Sequence, residues 1–150
     1  MTKHPQMQDG AVANVFPKEM KELFETNRTI SKEFNKQFAK TFNKINEIAG
    51  LSQMTIAKRT GLDKNTISGW STGATPSKKN IVKYAIRCKI DLLMIATLLR
   101  SGGYAFNLAD EKEYAWAYLI MHYSGRELSE CDEVLKNVFG ITDKAAFLNE

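Results

Sequence analysis

The chain has 150 residues, of which 43% are hydrophobic and 25% are charged, as in soluble globular proteins with one domain or a small domain and an appendage. The longest apolar stretch, residues 90–99, is interrupted by Asp91, so we expect no membrane-spanning segment. No apolar stretch follows the first charges of the N-terminus, which predicts a protein without a signal peptide and with a cytoplasmic location. Cys88 and Cys131 are expected to be free and buried, and no cysteine or histidine spacing suggests a structural metal.

The net charge of +4 conceals an unequal distribution of charged residues along the chain. Residues 31–90 carry twelve lysines and arginines against three acidic residues, which gives a net charge of +9. Residues 101–150 carry four basic and nine acidic residues, which gives a net charge of −5. A basic part beside an acidic part is expected when one part of a protein faces nucleic acid, and the alternative is a pair of ordinary solvated surfaces.

The N-terminal third of the chain predicts a tail and two helices. Residues 1–16 are polar and lack periodicity, which predicts a mobile tail. Pro17 suits the first turn of a helix. The apolar residues beside it form a stripe, which could pack on the core or serve as a contact surface. The residues of this N-terminal stripe are Phe16, Met20, Leu23 and Phe24. In residues 32–49 apolar residues recur at spacings of three and four, which predicts an amphipathic helix that ends at Gly50.

The middle of the chain contains two successive helix starts of the same design. Ser52 and Asp63 each follow a leucine and precede an isoleucine by four positions, the pattern of an N-cap flanked by a hydrophobic staple. Gly61 lies between the two patterns, where a left-handed residue ends the first helix. Ile67 and Trp70 give the second helix a buried stripe. The pattern predicts two short helices that cross over a tight turn, which is a helix-turn-helix.

Further helix starts follow this pair. Ser77 is predicted to cap a fourth helix and Asp91 a fifth, which is apolar on nearly all sides and should therefore be buried on more than one. Residues 111–123 predict a sixth helix, and Ser129 is predicted to cap a seventh. Residues 141–148 could hold a short final helix.

The pair of short helices resembles the motif of the phage-repressor or Cro-like (XRE-type) helix-turn-helix proteins. The residues that carry the resemblance are Leu51, Ser52, Gln53, Ile56, Ala57, Gly61, Leu62, Thr66, Ile67, Ser68, Trp70 and Gly73. The resemblance implies an all-α fold, in which residues 17–100 form a five-helix lambda-repressor-like helix-turn-helix domain with an extra N-terminal helix. Residues 101–150 would be a small acidic helical extension, which could mediate dimerisation or partner binding. The alternative is a helical hairpin within a purely structural bundle.

The resemblance also assigns residues to DNA contacts. In that family the second motif helix lies in the major groove, so residues 64–71 would be the recognition helix, with three side chains toward the base edges. These are Lys64, Asn65 and Ser68. Gln53 would hold a phosphate at the start of the first motif helix, and further phosphate contacts are expected from short or basic residues nearby. These are Thr66, Lys58, Ser77, Lys78 and Lys79.

Two positions depart from the family pattern. Gly69 stands where a side chain usually contacts a base, so either the backbone lies close to the DNA there or one base position is not recognised. Ser71 and Thr72 replace the acidic–polar pair that is common before the glycine. The residues that usually brace this turn are therefore absent here.

The sequence thus predicts a sequence-specific, double-stranded DNA-binding regulator of transcription, a repressor of phage, plasmid or mobile-element type. It is expected to act as a homodimer without a cofactor or a metal. The alternative is a protein-interaction module on the same fold, in which the N-terminal stripe or the extension binds an antirepressor, a toxin or a polymerase subunit. An enzyme is not expected, because the chain has no Gly-rich phosphate loop or nucleophile elbow, and His4 and His122 are isolated.

Overall fold

The computed structural model describes residues 17–29 and 34–149, and these residues form eight α-helices and no strand. The helices are α1 (Pro17–Thr29), α2 (Phe34–Ala49), α3 (Gln53–Thr60), α4 (Lys64–Thr72), α5 (Lys78–Arg87), α6 (Leu92–Ser101), α7 (Glu111–His122) and α8 (Leu128–Asn137). A 3₁₀ turn, Lys144–Ala146, follows α8. The predicted all-α class is confirmed for the described residues, and the predicted tail of residues 1–16 lies outside them.

Helix α1 begins at Pro17, whose fixed φ angle suits the first turn of a helix. The helix lies against α2 and α6, and it contributes the fully buried Leu23 and the partly buried Met20 to the core. Phe24 is exposed instead, and Phe16 lies outside the described residues. The N-terminal stripe therefore packs on the core through part of its length.

Helix α2 lies at the centre of the N-terminal part of the fold. Its Phe38, Phe42 and Ile45, which follow the predicted spacing of three and four, are fully buried. The Phe42 ring lies edge-on to Trp70 of α4 at 5.5 Å and to Tyr84 of α5 at 5.1 Å, between ring centroids. Edge-to-face ring pairs add attraction beyond the burial of their surface, so α2 fixes the positions of α4 and α5.

Of the four caps predicted for α3 to α6, three form the expected side-chain hydrogen bond. The side-chain oxygens of Ser52, Ser77 and Asp91 accept hydrogen bonds from the backbone N–H three residues later, at 3.1, 3.2 and 2.8 Å. Asp63 occupies the N-cap position of α4, but its side chain makes no capping hydrogen bond. Gly61 has a φ angle of 76°, the left-handed conformation predicted for the end of α3. The helix boundaries around α3 and α4 therefore follow from local sequence.

Helix α6 is buried on more than one side, as its apolar sequence predicts, since it packs against α1, α2, α5 and α7. Its fully buried residues include Ile95, Leu98 and Leu99. Leu93 points away from these contacts and is 63% exposed. In the part of the chain that the structure describes, no helix combines the length and the apolar character needed to cross a bilayer.

The C-terminal part of the chain packs on α5 and α6 through α7 and α8, and residues of both parts share one hydrophobic core. The indole N–H of Trp116 donates a hydrogen bond to the carbonyl of Ala146 at 2.9 Å. The Asp132 carboxylate accepts hydrogen bonds from the backbone N–H groups of Leu148 and Asn149, at 2.7 and 3.0 Å. The last described residues are therefore tied back to α7 and α8.

Helix α8 begins earlier than predicted. The expectation that Ser129 caps this helix is wrong, because Glu127 occupies the N-cap position and Leu128 is the first helical residue. The backbone N–H of Glu127 donates to the Glu130 carboxylate at 3.4 Å, which is one half of a capping box. The short helix that residues 141–148 could hold is present only as the 3₁₀ turn.

Candidate nucleic-acid interface

The first turn of α4 presents three consecutive exposed side chains, Lys64, Asn65 and Thr66. On the opposite face of the same helix, Ile67 is fully buried and Trp70 is 3% exposed. Burial of these two side chains fixes the rotation of α4 about its axis, and hence the direction in which Lys64 and Asn65 project. Lys64 and Asn65 remain exposed in the folded chain, so neither α7 nor α8 covers them.

Ser68, the third residue predicted to contact bases, is half-buried one turn further along α4. Its backbone carbonyl accepts hydrogen bonds from the hydroxyls of Ser71 at 2.7 Å and Thr72 at 3.2 Å. Hydroxyl groups of a last helical turn commonly satisfy carbonyls in this way. Ser68 therefore lies beside the exposed first turn but is less open to solvent than Lys64 and Asn65.

Gln53, the first residue of α3, is half-buried and oriented by α4. Its Nε2 atom donates a hydrogen bond to the Ser71 hydroxyl oxygen at 3.0 Å. A side-chain amide has two N–H donors, so this bond leaves the second one available. The residue predicted to hold a phosphate is thus joined to the last turn of α4.

The last turn of α4 is braced by hydrogen bonds between uncharged groups. The Asn43 side-chain amide of α2 donates to the Ser71 carbonyl at 3.0 Å, in addition to the bond from Gln53 to the Ser71 hydroxyl. The sequence did not identify Asn43, because it lies 28 positions from Ser71 and no local pattern joins the two. The sequence predicted that this turn lacks its usual local bracing. The bonds from Asn43 and Gln53 to Ser71 brace it instead.

Gly69 faces the connection between α4 and α5. A Cβ atom added to Gly69 would lie 3.6 Å from the Cβ of Ala74, which is an ordinary van der Waals distance. The Gly69 carbonyl also accepts the backbone N–H groups of Gly73 at 3.0 Å and Ala74 at 2.8 Å. A side chain at position 69 would therefore point toward the loop between α4 and α5.

The start of α5 holds the remaining predicted phosphate contacts. Ser77 caps the helix and Lys79 is half-buried. The ammonium group of Lys78 lies 2.9 Å from both carboxylate oxygens of Glu113 and donates to the carbonyl of Ala105 at 2.8 Å. All three of its N–H donors are thereby used within the protein, whereas the sequence predicted a phosphate contact for Lys78.

The exposed basic surface is smaller than the sequence count implies. Lys83 is buried, and Lys44 pairs with Glu22 at 3.2 Å. Among residues 31–90 whose side chains the structure describes, the exposed basic residues are Lys40, Lys58, Arg59, Lys64 and Lys89. Three of these five lie on α3 and α4, so the openly displayed positive charge is concentrated beside the exposed turn of α4.

Arg87, at the end of α5, connects α3 with the C-terminal part of the chain. Its Nε atom donates to the carbonyl of Arg59 at 2.9 Å, near the end of α3. Its Nη1 atom donates to the carbonyls of Gly125 and Arg126, both at 2.9 Å, and Nη2 lies 3.5 Å from the Glu127 carboxylate. The planar guanidinium group suits such multiple contacts, and it ties α3 to the turn between α7 and α8.

We compared the chain with protein-family models, with curated proteins and with solved structures, and no match was found in any of the three comparisons. The function is therefore inferred from the sequence motif and from the arrangement of residues. That arrangement consists of an exposed polar turn on a firmly packed short helix, with nearby basic residues and a hydrogen-bonded glutamine.

Proposed function

We propose that the protein is a sequence-specific, double-stranded DNA-binding regulator of transcription, of the repressor type and cytoplasmic, rather than an enzyme. In this proposal α2 to α6 form a lambda-repressor-like helix-turn-helix domain, and α3 and α4 are the two helices of its motif. Helix α4 enters the major groove of DNA with its first turn foremost. Helix α1 is an addition to this domain, and α7 and α8 form the acidic extension.

The observation that carries this proposal is the exposure of Lys64 and Asn65 on a helix whose other face is immobilised in the core. Lysine can donate to O6 and N7 of guanine, and asparagine can pair with N6 and N7 of adenine. Such contacts require a rigid support, since a mobile side chain recognises bases weakly. Ile67 and Trp70 provide that support by their burial.

Phosphate contacts supply most of the sequence-independent affinity in such complexes. The residues that we retain for this role lie on or beside α3 and α4 or at the start of α5, and they are Gln53, Thr66, Lys58, Ser77 and Lys79. Lys78 is left out, because its ammonium group is held by Glu113. In this proposal the phosphates lie on both sides of α4 and fix its depth in the groove.

We propose that the protein binds as a homodimer to two half-sites one helical turn, about 34 Å, apart. One module of this kind buries only about 600–1,000 Å² on DNA, which is small for tight specific binding. Exposed apolar side chains suitable for a dimer interface occur on α6, at Leu93, and on α7, at Tyr114 and Met121. Sedimentation of a pure monomer at high concentration, with and without DNA, would remove the dimer from the proposal.

The test of the function is selection of bound sequences from a pool of random duplex DNA. We expect enrichment of a two-fold symmetric site with half-sites one helical turn apart. Affinity for that site should fall by roughly two log units or more between 50 and 200 mM salt, because bound phosphates release counterions. A pool without any enriched sequence would contradict sequence-specific binding.

A second candidate function is a protein-interaction module on the same fold. It is favoured by the exposure of Tyr114, Tyr118 and Met121 on one face of α7, since large exposed apolar patches often mark interaction sites. The same selection experiment separates the two functions. A protein without an enriched duplex and without salt-dependent DNA binding would favour the interaction module.

A further inference from the structure

Ser71 is the point where hydrogen bonds from three helices meet. Its hydroxyl donates to the Ser68 carbonyl at 2.7 Å within α4 and accepts from Gln53 Nε2 of α3 at 3.0 Å. Its backbone carbonyl accepts from Asn43 Nδ2 of α2 at 3.0 Å. A hydroxyl has one O–H donor, and because Ser68 takes it, the oxygen lone pairs are left to receive the Gln53 amide.

Gln53 has a long side chain, and holding such a chain in one conformation costs up to about 2 kcal/mol of rotamer entropy. A group that is already ordered before binding loses less freedom when the partner arrives. The bond to Ser71 provides this ordering, because it fixes one N–H of the Gln53 amide. The second N–H of the same nitrogen takes no part in this bond and can donate to another acceptor.

We propose that Ser71 is a positioning residue for DNA binding, which holds the Gln53 amide in place so that its second N–H meets a phosphate oxygen. This inference rests on the proposed DNA-binding function. Ser71 acts through Gln53 and makes no DNA contact of its own. Asn43 supports it by holding the Ser71 backbone against α2.

Serine offers an acceptor oxygen without a negative charge, at a position where the resembled motif commonly carries an acidic residue. The network of Asn43, Ser71 and Gln53 therefore holds the Gln53 amide through uncharged groups.

A double-mutant cycle tests this role on the enriched duplex, with Ser71→Ala, Gln53→Ala and the double variant. We expect Ser71→Ala to weaken binding about fivefold, as for loss of one ordinary hydrogen bond, and to add nothing in the Gln53→Ala background. Thr72→Ala is the matched control, because within the described part of the chain the Thr72 hydroxyl bonds to the Ser68 and Gly69 carbonyls of its own helix. It should leave the affinity unchanged.

A second measurement separates positioning from a general loss of structure. In the free protein, the side-chain amide of Gln53 should show restricted motion by NMR relaxation, and Ser71→Ala should release it. The backbone amides of α3 and α4 should keep their wild-type relaxation in that variant. A Gln53 side chain that is equally mobile with and without the Ser71 hydroxyl would overturn the inference.

The outcomes distinguish this inference from the proposed function. A wild-type protein that prefers no duplex overturns the proposed function, and the role of Ser71 falls with it. A wild-type protein that binds its duplex, with Ser71→Ala causing the same loss in both Gln53 backgrounds, overturns the role of Ser71 alone.

Discussion

The ammonium group of Lys78, at the first residue of α5, lies 2.9 Å from both carboxylate oxygens of Glu113 on α7. Glu113 also accepts the backbone N–H of Asn107 at 2.7 Å. The two charged side chains are 21% and 11% exposed, so water competes only weakly for their hydrogen-bonding groups. This ion pair therefore attaches the acidic extension to the start of α5.

Glu113→Gln should lower the free energy of unfolding by about 1–3 kcal/mol, because hydrogen bonds to a charged group are replaced by weaker neutral ones. Urea unfolding measures this change. Glu111→Gln is the matched control, since Glu111 is exposed in the same turn of α7 and its neutralisation should alter stability by less than about 0.5 kcal/mol. Equal stability of the two variants would show that the pair does not hold the extension.

Lys64→Ala and Asn65→Ala should each weaken binding to the enriched duplex by about 1–3 kcal/mol, with a smaller effect on random duplex. The reason is that base contacts discriminate between sequences, whereas phosphate contacts do not. Lys136→Ala removes an exposed lysine from α8 and serves as the control for loss of one positive charge. Equal losses on both kinds of duplex would indicate that α4 binds without sequence preference.

Gly69→Ala and Gly102→Ala should change stability in opposite directions. At Gly69 the added Cβ meets Ala74 at an ordinary 3.6 Å, so alanine should raise the free energy of unfolding by up to about 1 kcal/mol through helix propensity. At Gly102 the added Cβ would lie 3.1 Å from both Phe38 and Thr75, and because Phe38 is fully buried and has little room to move, overpacking should cost about 1–3 kcal/mol. Thermal unfolding of the two variants checks both signs.

Gly69→Ala also carries a prediction for DNA binding. Because residue 69 faces Ala74, the added methyl group should leave the affinity for the enriched duplex unchanged. A large loss of affinity in a variant that is more stable would mean that the DNA backbone approaches Gly69 closely.

The stability of the protein should decline in alkaline solution through its two thiols. Burial raises the pKa of Cys88 and Cys131 from 9.0 to about 11. Since the pKa is higher in the folded state, the unfolded chain loses these protons first, and the stabilisation present below pH 9 is lost as the pH rises toward 11. Urea unfolding across this pH range should show that the free energy of unfolding falls less steeply with pH in Cys88→Ala and Cys131→Ala than in the wild type. An unchanged slope in both variants would exclude the thiols as its source.

The helix boundaries were largely predictable, because caps and staples act over four residues. Ser52, Ser77 and Asp91 form the capping bonds that their positions predict, and Gly61 has the left-handed conformation. The cap of α8 was missed because two glutamates perform a role there that was assigned to Ser129. The burial of Ile67 and Trp70 also followed from spacing alone.

Contacts between distant parts of the chain were not predictable from local patterns. The sequence separation is 35 residues for Lys78 and Glu113 and 28 for Asn43 and Ser71. A count of charges treats every lysine alike, whereas packing decides which of them reach the surface. Lys83 is buried and Lys78 is paired, so the basic surface beside α4 is smaller than the composition suggests.

The guanidinium group of Arg87 bonds to backbone carbonyls on both sides of residue 100, where the sequence alone would divide the chain. Cutting the chain there would remove two of its acceptors and uncover apolar surface of α5 and α6. Calorimetry of the whole protein should accordingly record one cooperative melting transition, and the isolated N-terminal fragment should melt at a lower temperature or not fold. The acidic C-terminal part therefore stabilises the helices that are proposed to contact DNA.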